Sequence, residues 1–236
     1  MDGRHPHVAS EDAKPVQIAV DGATRVSALL QRPARAKWCF VLAHGAGAGM
    51  RHPFMTAVAD ELAALGVATL RYQFPYAERK AKRPDPPGLA QATVRATVAA
   101  ARELVPELPL IAGGKSYGGR MTSQAQAAEA LPEVRGLVFL GFPLHPPGEP
   151  AATRAAHLSQ VQIPMLFLQG TRDAFAELKL IRALAARLGA RATLNLIEDA
   201  DHSFHVPARS GRTDAQVRTA MLTALAAWAQ LVLQGV

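Results

Sequence analysis

Gly114-Lys115-Ser116-Tyr117-Gly118 is the segment best equipped for covalent chemistry. It follows an apolar run, Leu108 to Ala112, and precedes a helix-like stretch from Arg120. A serine between two glycines in that setting fits the G-x-S-x-G turn, which lifts a hydroxyl above the end of a strand. Such a turn is tight enough that glycine is needed wherever neighbouring backbone crowds in. Gly113 and Gly119 extend the small-residue surround. The helix that follows points the positive end of its dipole at the hydroxyl, where negative charge would develop. Ser116 is therefore the candidate nucleophile.

A serine hydroxyl is a weak nucleophile until a base takes its proton. His202, in Asp199-Ala200-Asp201-His202-Ser203-Phe204, follows the last strand-like run. Asp173, in Gln169-Gly170-Thr171-Arg172-Asp173, follows the run Met165 to Leu168. Serine, then acid, then histidine is the chain order that accompanies this type of turn. His202 would accept the serine proton and return it to the leaving group. Asp173 would hold the imidazole tautomer and stabilise the imidazolium. Asp199 and Asp201 compete for the acid's role, but they share a loop with His202. A partner from a different strand fixes the ring better, which favours Asp173.

Transition-state charge also needs donors. The loop His44-Gly45-Ala46-Gly47-Ala48-Gly49 follows the apolar run Trp38 to Ala43, and its small residues let backbone N–H groups approach a substrate. One oxyanion donor is expected from this loop and one from the residue after the nucleophile. Ala46 and Tyr117 are the candidates, with Gly47 as the substitute for Ala46.

Rival chemistries fit less well. Gly114-Lys115-Ser116 matches the end of a phosphate loop, G-x-x-x-x-G-K-[ST], but its first glycine position is held by Pro109. The loop after Ala43 has Met50 where a dinucleotide fingerprint needs its third glycine. His202 and His205 could suggest a metal pair, but no further ligand cluster accompanies them. Neither a metal nor a cofactor is expected.

These residues must be carried by a scaffold. Strand-like runs at residues 16–20, 25–31, 38–43, 68–72, 108–112, 136–141, 165–168 and 193–197 alternate, after the first two, with helix-like stretches. The helices are expected at residues 54–65, 89–105, 120–131, 175–188 and 213–234. Trp38 to Ala43 is apolar throughout, as a strand buried on both faces should be. Such alternation predicts an α/β fold with a mainly parallel eight-stranded sheet and helices on both faces. Ligands then bind beyond the carboxyl ends of the strands. Ser116, Asp173, His202 and Ala46 all fall there. The stretch from Gly141 to Met165, broken by Pro146, Pro147 and Pro150, is too short for a separate lid domain. Residues 16–236 read as one domain, and residues 1–15 as a mobile segment.

Composition sets outer bounds. In 236 residues, 49% are hydrophobic and 19% charged, enough apolar content for a large core without the signature of a disordered polyelectrolyte. No apolar stretch reaches the roughly 18 residues of a membrane span, and the N-terminus lacks a secretory h-region. Cys39 is the only cysteine, which suits a cytoplasmic protein. The formal net charge of +7 permits attraction of acidic partners. Its densest cluster is Arg79, Lys80, Lys82 and Arg83, ahead of Pro84, Pro86, Pro87 and Gly88, which reads as a solvated loop. No aromatic residue interleaves these cations, so specific nucleic-acid binding is not expected.

The segments Ala43 to Met50, Gly113 to Met121 and Gly141 to Gly148 resemble a small α/β-hydrolase group related to dienelactone hydrolases. That group includes testis-expressed hydrolase-like proteins and the hydrolase-like part of a chromatin complex subunit. The resemblance runs from about Trp38 onward, and His145-Pro146-Pro147-Gly148 ties it to the smaller group. It implies an α/β-hydrolase fold with Ser116, Asp173 and His202 as the triad. It does not imply a substrate: dienelactone hydrolases proper use cysteine at the turn, and this chain has Ser116, so their lactone chemistry does not carry over. The triad itself points to a small acyl compound, an ester or thioester. Some relatives serve as scaffolds, so the alternative function is a non-catalytic module that binds an acidic partner.

Overall fold

The computed structural model describes residues 13–235. Eight strands form one sheet: β1 (Lys14–Ala19), β2 (Arg25–Gln31), β3 (Trp38–Ala43), β4 (Val67–Tyr72), β5 (Leu110–Lys115), β6 (Val134–Leu140), β7 (Met165–Gly170) and β8 (Ala192–Ile197). Their order is β1-β2-β4-β3-β5-β6-β7-β8. Only β2 runs against its neighbours, pairing antiparallel with β1 and β4; every other pair is parallel. The helices are α1 (Pro53–Ala64), α2 (Pro75–Glu78), α3 (Pro87–Leu104), α4 (Tyr117–Ala128), α5 (Leu178–Leu188) and α6 (Asp214–Gln234).

The pleat sends alternate residues of a strand to opposite faces. In β3, Cys39, Val41 and Ala43 join the core under α3, α4 and α5. Trp38, Phe40 and Leu42 join the core under α1 and α6. Both faces are covered, which is why every residue of β3, β4 and β7 is buried. Residues 141–164 join β6 to β7 through the 3₁₀ turns of Thr153–Gln160, which pack on α4 and build no lid domain. Among the described residues, no helix is long and apolar enough to cross a membrane.

Several boundaries differ from those expected. Strand β1 begins at Lys14, and Lys14 and Pro15 pair with Leu30 and Leu29. The remainder of the expected mobile segment lies outside the described residues, apart from Ala13. Strand β5 runs from Leu110 through Gly113 and Gly114 to Lys115, and α4 starts at Tyr117 rather than Arg120. The glycines that read as a loop are the end of one element and the first turn of the next. Pro87 and Gly88 likewise open α3 instead of closing a loop; proline suits a first helical turn, where its missing N–H is no loss. The one-turn helix α2 is too short to leave a periodic signal.

Candidate active site

Ser116 sits at φ 49° and ψ −114°, between the last residue of β5 and the first of α4. A serine in that region stores roughly 1–3 kcal/mol of strain, which the packing around it must hold. Two glycines make the packing possible. A Cβ on Gly114 would lie 2.2 Å from the carbonyl oxygen of Ala43, and one on Gly118 would lie 2.5 Å from that of His44. The turn is thereby wedged against the end of β3, the strand that leads into the His44–Gly49 loop.

The three candidate residues for proton transfer meet although they arise from three separate strand ends. Ser116 Oγ lies 2.8 Å from His202 Nε2. His202 Nδ1 lies 2.7 Å from Asp173 Oδ2. An ionised carboxylate can only accept, so Nδ1 carries the hydrogen and the Nε2 lone pair faces the serine hydroxyl. Asp173 is buried, and both its oxygens are engaged. Oδ2 also accepts from Gln169 Nε2 at 2.5 Å, and Oδ1 accepts from the Phe175 N–H at 2.8 Å. The Phe175 ring lies along the imidazole, with centroids 4.3 Å apart.

Of the competing carboxylates, that of Asp201 is occupied elsewhere. Asp201 Oδ1 accepts from the N–H groups of Ser203 and His205, closing a local turn. Asp199 stands at a positive φ of 59°, with its backbone N–H donating to Thr171 Oγ1. His205 reaches Asp214 at the start of α6, 2.9 Å away, and is not part of the site. Among the described residues no group of three or more His, Cys, Asp or Glu could hold a metal ion.

A cleft of about 350 Å³ opens beside Ser116 and His202, walled by Ala46, Ala48, Phe54, Met55 and Phe175. Ala46, which lines it, is exposed, as is the next residue, Gly47, with φ 74°. His44 fixes the base of this loop. Its Nε2 accepts from the Phe74 N–H at 3.1 Å, so Nδ1 carries the hydrogen and donates to Gly45 O at 2.8 Å. Burial holds this imidazole below the usual histidine range, in keeping with a neutral ring. The Tyr117 side chain packs edge-on against Phe74 and Tyr76, and its hydroxyl donates to Asp85 O at 3.3 Å. The ring is thus buried in the core, which leaves the backbone N–H of Tyr117 at the turn.

Four contributors escaped the sequence reading. Gln169 bridges Asp173 and the Phe142 N–H; a glutamine ending an otherwise apolar strand was the available signal. In the sequence His44 reads only as part of a small-residue loop. Phe175 reads as the start of a helix, but α5 begins at Leu178 and Phe175 lies in the turn before it. Lys115 filled the variable place in G-x-S-x-G, yet its ammonium donates to His202 O at 2.6 Å. The basic cluster is also less free than it read, because Arg79 pairs with the buried Asp85 at 2.6 Å.

Residues 36–230 match the family model of the alpha/beta hydrolase domain, and the chain belongs to that family. Solved structures show the same fold. A lidless α/β serine hydrolase from Xanthomonas campestris is 22% identical, covering 92% of this chain and 95% of its own, with a TM-score of 0.72. A dienelactone hydrolase from Anabaena variabilis is 21% identical over 92% and 95% of the two chains, at a TM-score of 0.73. Est1E from Butyrivibrio proteoclasticus is 18% identical over 90% and 99%, at a TM-score of 0.66.

Proposed function

We propose that the protein is a serine hydrolase that cleaves a small carboxylic ester, thioester or related acyl compound through an acyl-enzyme. The observation that carries this reading is the continuous Ser116–His202–Asp173 hydrogen-bond chain beside an open cleft. Ser116 Oγ attacks the acyl carbon while His202 Nε2 takes its proton. The N–H groups of Ala46 and Tyr117, with Gly47 as the substitute for Ala46, receive the oxyanion. His202 then protonates the leaving alcohol or thiol, and the same base activates water to release the acid. Asp173 keeps Nδ1 protonated throughout. None of these steps calls for a cofactor.

The absence of a lid domain over residues 141–164 supports a substrate with a short acyl group. The lone, buried Cys39 suits a cytoplasmic setting. His145-Pro146-Pro147-Gly148 supports membership of the smaller group containing the testis-expressed hydrolase-like proteins.

An organophosphonate probe should label the native protein once, at Ser116, and Ser116→Ala should abolish the label. Folded protein that is never labelled there would leave the fold as a binding module for an acidic partner. In an ester series from acetyl to palmitoyl, kcat/KM should fall as the chain lengthens; a steady rise would refute the short-acyl assignment.

A further inference from the structure

We infer that Lys115 is a positioning residue for this hydrolysis, clamping the His202 loop to the nucleophile strand and setting a positive charge behind the Asp173–His202 pair. The inference rests on the serine-hydrolase reading above and assigns a role to the variable residue of the nucleophile turn.

Lys115 ends β5, immediately before Ser116. A lysine at the end of an otherwise buried strand is costly unless its charge is used or satisfied. Its side chain is partly buried, and its ammonium donates to the carbonyl oxygen of His202 at 2.6 Å. That bond is the only one its side chain makes among the described residues. It joins the residue before the nucleophile directly to the backbone of the candidate base.

The charge has a defined place. A methyl group on Gly141 would lie 3.2 Å from Lys115 Nζ, 3.5 Å from Asp173 Oδ2 and 3.5 Å from His202 Cε1. Those three atoms converge on one point beside Cε1 of the imidazole, and Gly141, at φ 72°, leaves the space open. The Phe204 ring covers the ammonium from another side, its centroid 5.4 Å away. Charged and titratable groups reach this point from the β7–α5 loop (Asp173) and the β8–α6 loop (Asp201 and His202). Burial pushes the Lys115 ammonium down to about 8, against the attraction of Asp173 and then Asp201. It is still mostly charged at neutral pH.

Two separable effects follow. The clamp limits the swing of His202 about its backbone and keeps Nε2 at the serine. The nearby cation attracts the Asp173 carboxylate and so helps to hold it against Nδ1 of the imidazole.

Lys115→Met removes both effects, and Lys115→Arg retains charge and donors. Lys115→Met should lower kcat on the order of 10-fold to 100-fold, as small misplacements of catalytic groups do, with KM within a factor of two. Lys115→Arg should recover most of kcat. If Lys115→Met does not fold, Lys115→Gln, which keeps a donor and lacks the charge, takes its place and should lose kcat with KM likewise little changed. Wild-type kcat in the uncharged variant overturns the inference, as does a loss of kcat with no rescue by arginine. Probe labelling of the wild type separates the two levels. Wild-type labelling at Ser116 with an unaltered Lys115→Met enzyme removes only the role of Lys115, whereas an unlabelled wild type removes the hydrolase reading itself.

Discussion

Helix α4 begins beside one serine–histidine pair and carries another. Ser116 meets His202 Nε2 at 2.8 Å, and Ser123 meets His157 Nε2 at the same 2.8 Å. Distance alone does not distinguish them; their surroundings do. Ser116 lines a cleft, and Ser123 is fully buried. Ser123 Oγ–H already donates to Arg120 O at 3.0 Å, so its oxygen accepts from the imidazole N–H instead of giving up a proton. His202 has a carboxylate behind it. His157 instead faces the Arg120 guanidinium, and burial together with that charge pushes its imidazole down to about 4. A base that cannot hold a second proton near neutrality is no general base, whatever its distance from a hydroxyl. The Ser123–His157 bond ties the 3₁₀ segment Thr153–Gln160 to α4, a structural task.

The sharpest way to break this contrast is to remove each hydroxyl. Ser116→Ala should eliminate ester turnover, while Ser123→Ala should retain it within about twofold and lose roughly 1 kcal/mol of stability, the typical worth of one hydrogen bond. Inactive Ser123→Ala protein with a native melting profile would reverse the assignment.

Next in size is the carboxylate. Asp173→Asn should keep the fold and lower kcat by roughly 10³–10⁴-fold, since the imidazole tautomer is no longer held. Asp201→Asn should cost far less, because that side chain caps its own loop. Equal losses in both variants would mean that the loop, not the Asp173 charge, is what matters.

The smallest effect concerns His157. Its folded-state value lies below that of an unfolded histidine, so protonation favours the unfolded chain. Its contribution to stability is therefore complete above about pH 6.5 and is lost as pH falls toward about 4. Urea midpoints measured across that window should decline less steeply in His157→Gln than in the wild type. Parallel declines would show that His157 does not titrate as its surroundings imply.

Much of the site could be read from local pattern. Ser116 announces itself through glycines two places to either side, and Asp173 and His202 through position after strand-like runs. Those signals are local because sterics at a tight turn and burial along a strand act on neighbours in the chain. Lys115–His202, Ser123–His157 and Arg79–Asp85 leave no such trace. The first two join residues far apart in sequence, and their residue types are ordinary on a surface. The third is close in sequence, but nothing in a proline-rich stretch reveals that Asp85 turns inward. The start of α4 at Tyr117 differs from the expected Arg120 for a related reason: Gly118 and Gly119 signal a turn by propensity, and only the contact with β3 and β5 shows why a helix needs them.

Strand β3 pairs with β5 in register, Ala43 opposite Gly114. The loop bearing Ala46 and the turn bearing Ser116 therefore hang from the two ends of one rung. Nothing has to close over the cleft to bring them together, so the arrangement is assembled once, when the sheet forms. Loss of activity on heating should then track the melting of the sheet itself. A frayed surface loop elsewhere would leave the chemistry untouched, and tightening such a loop would lengthen the working life of the protein very little.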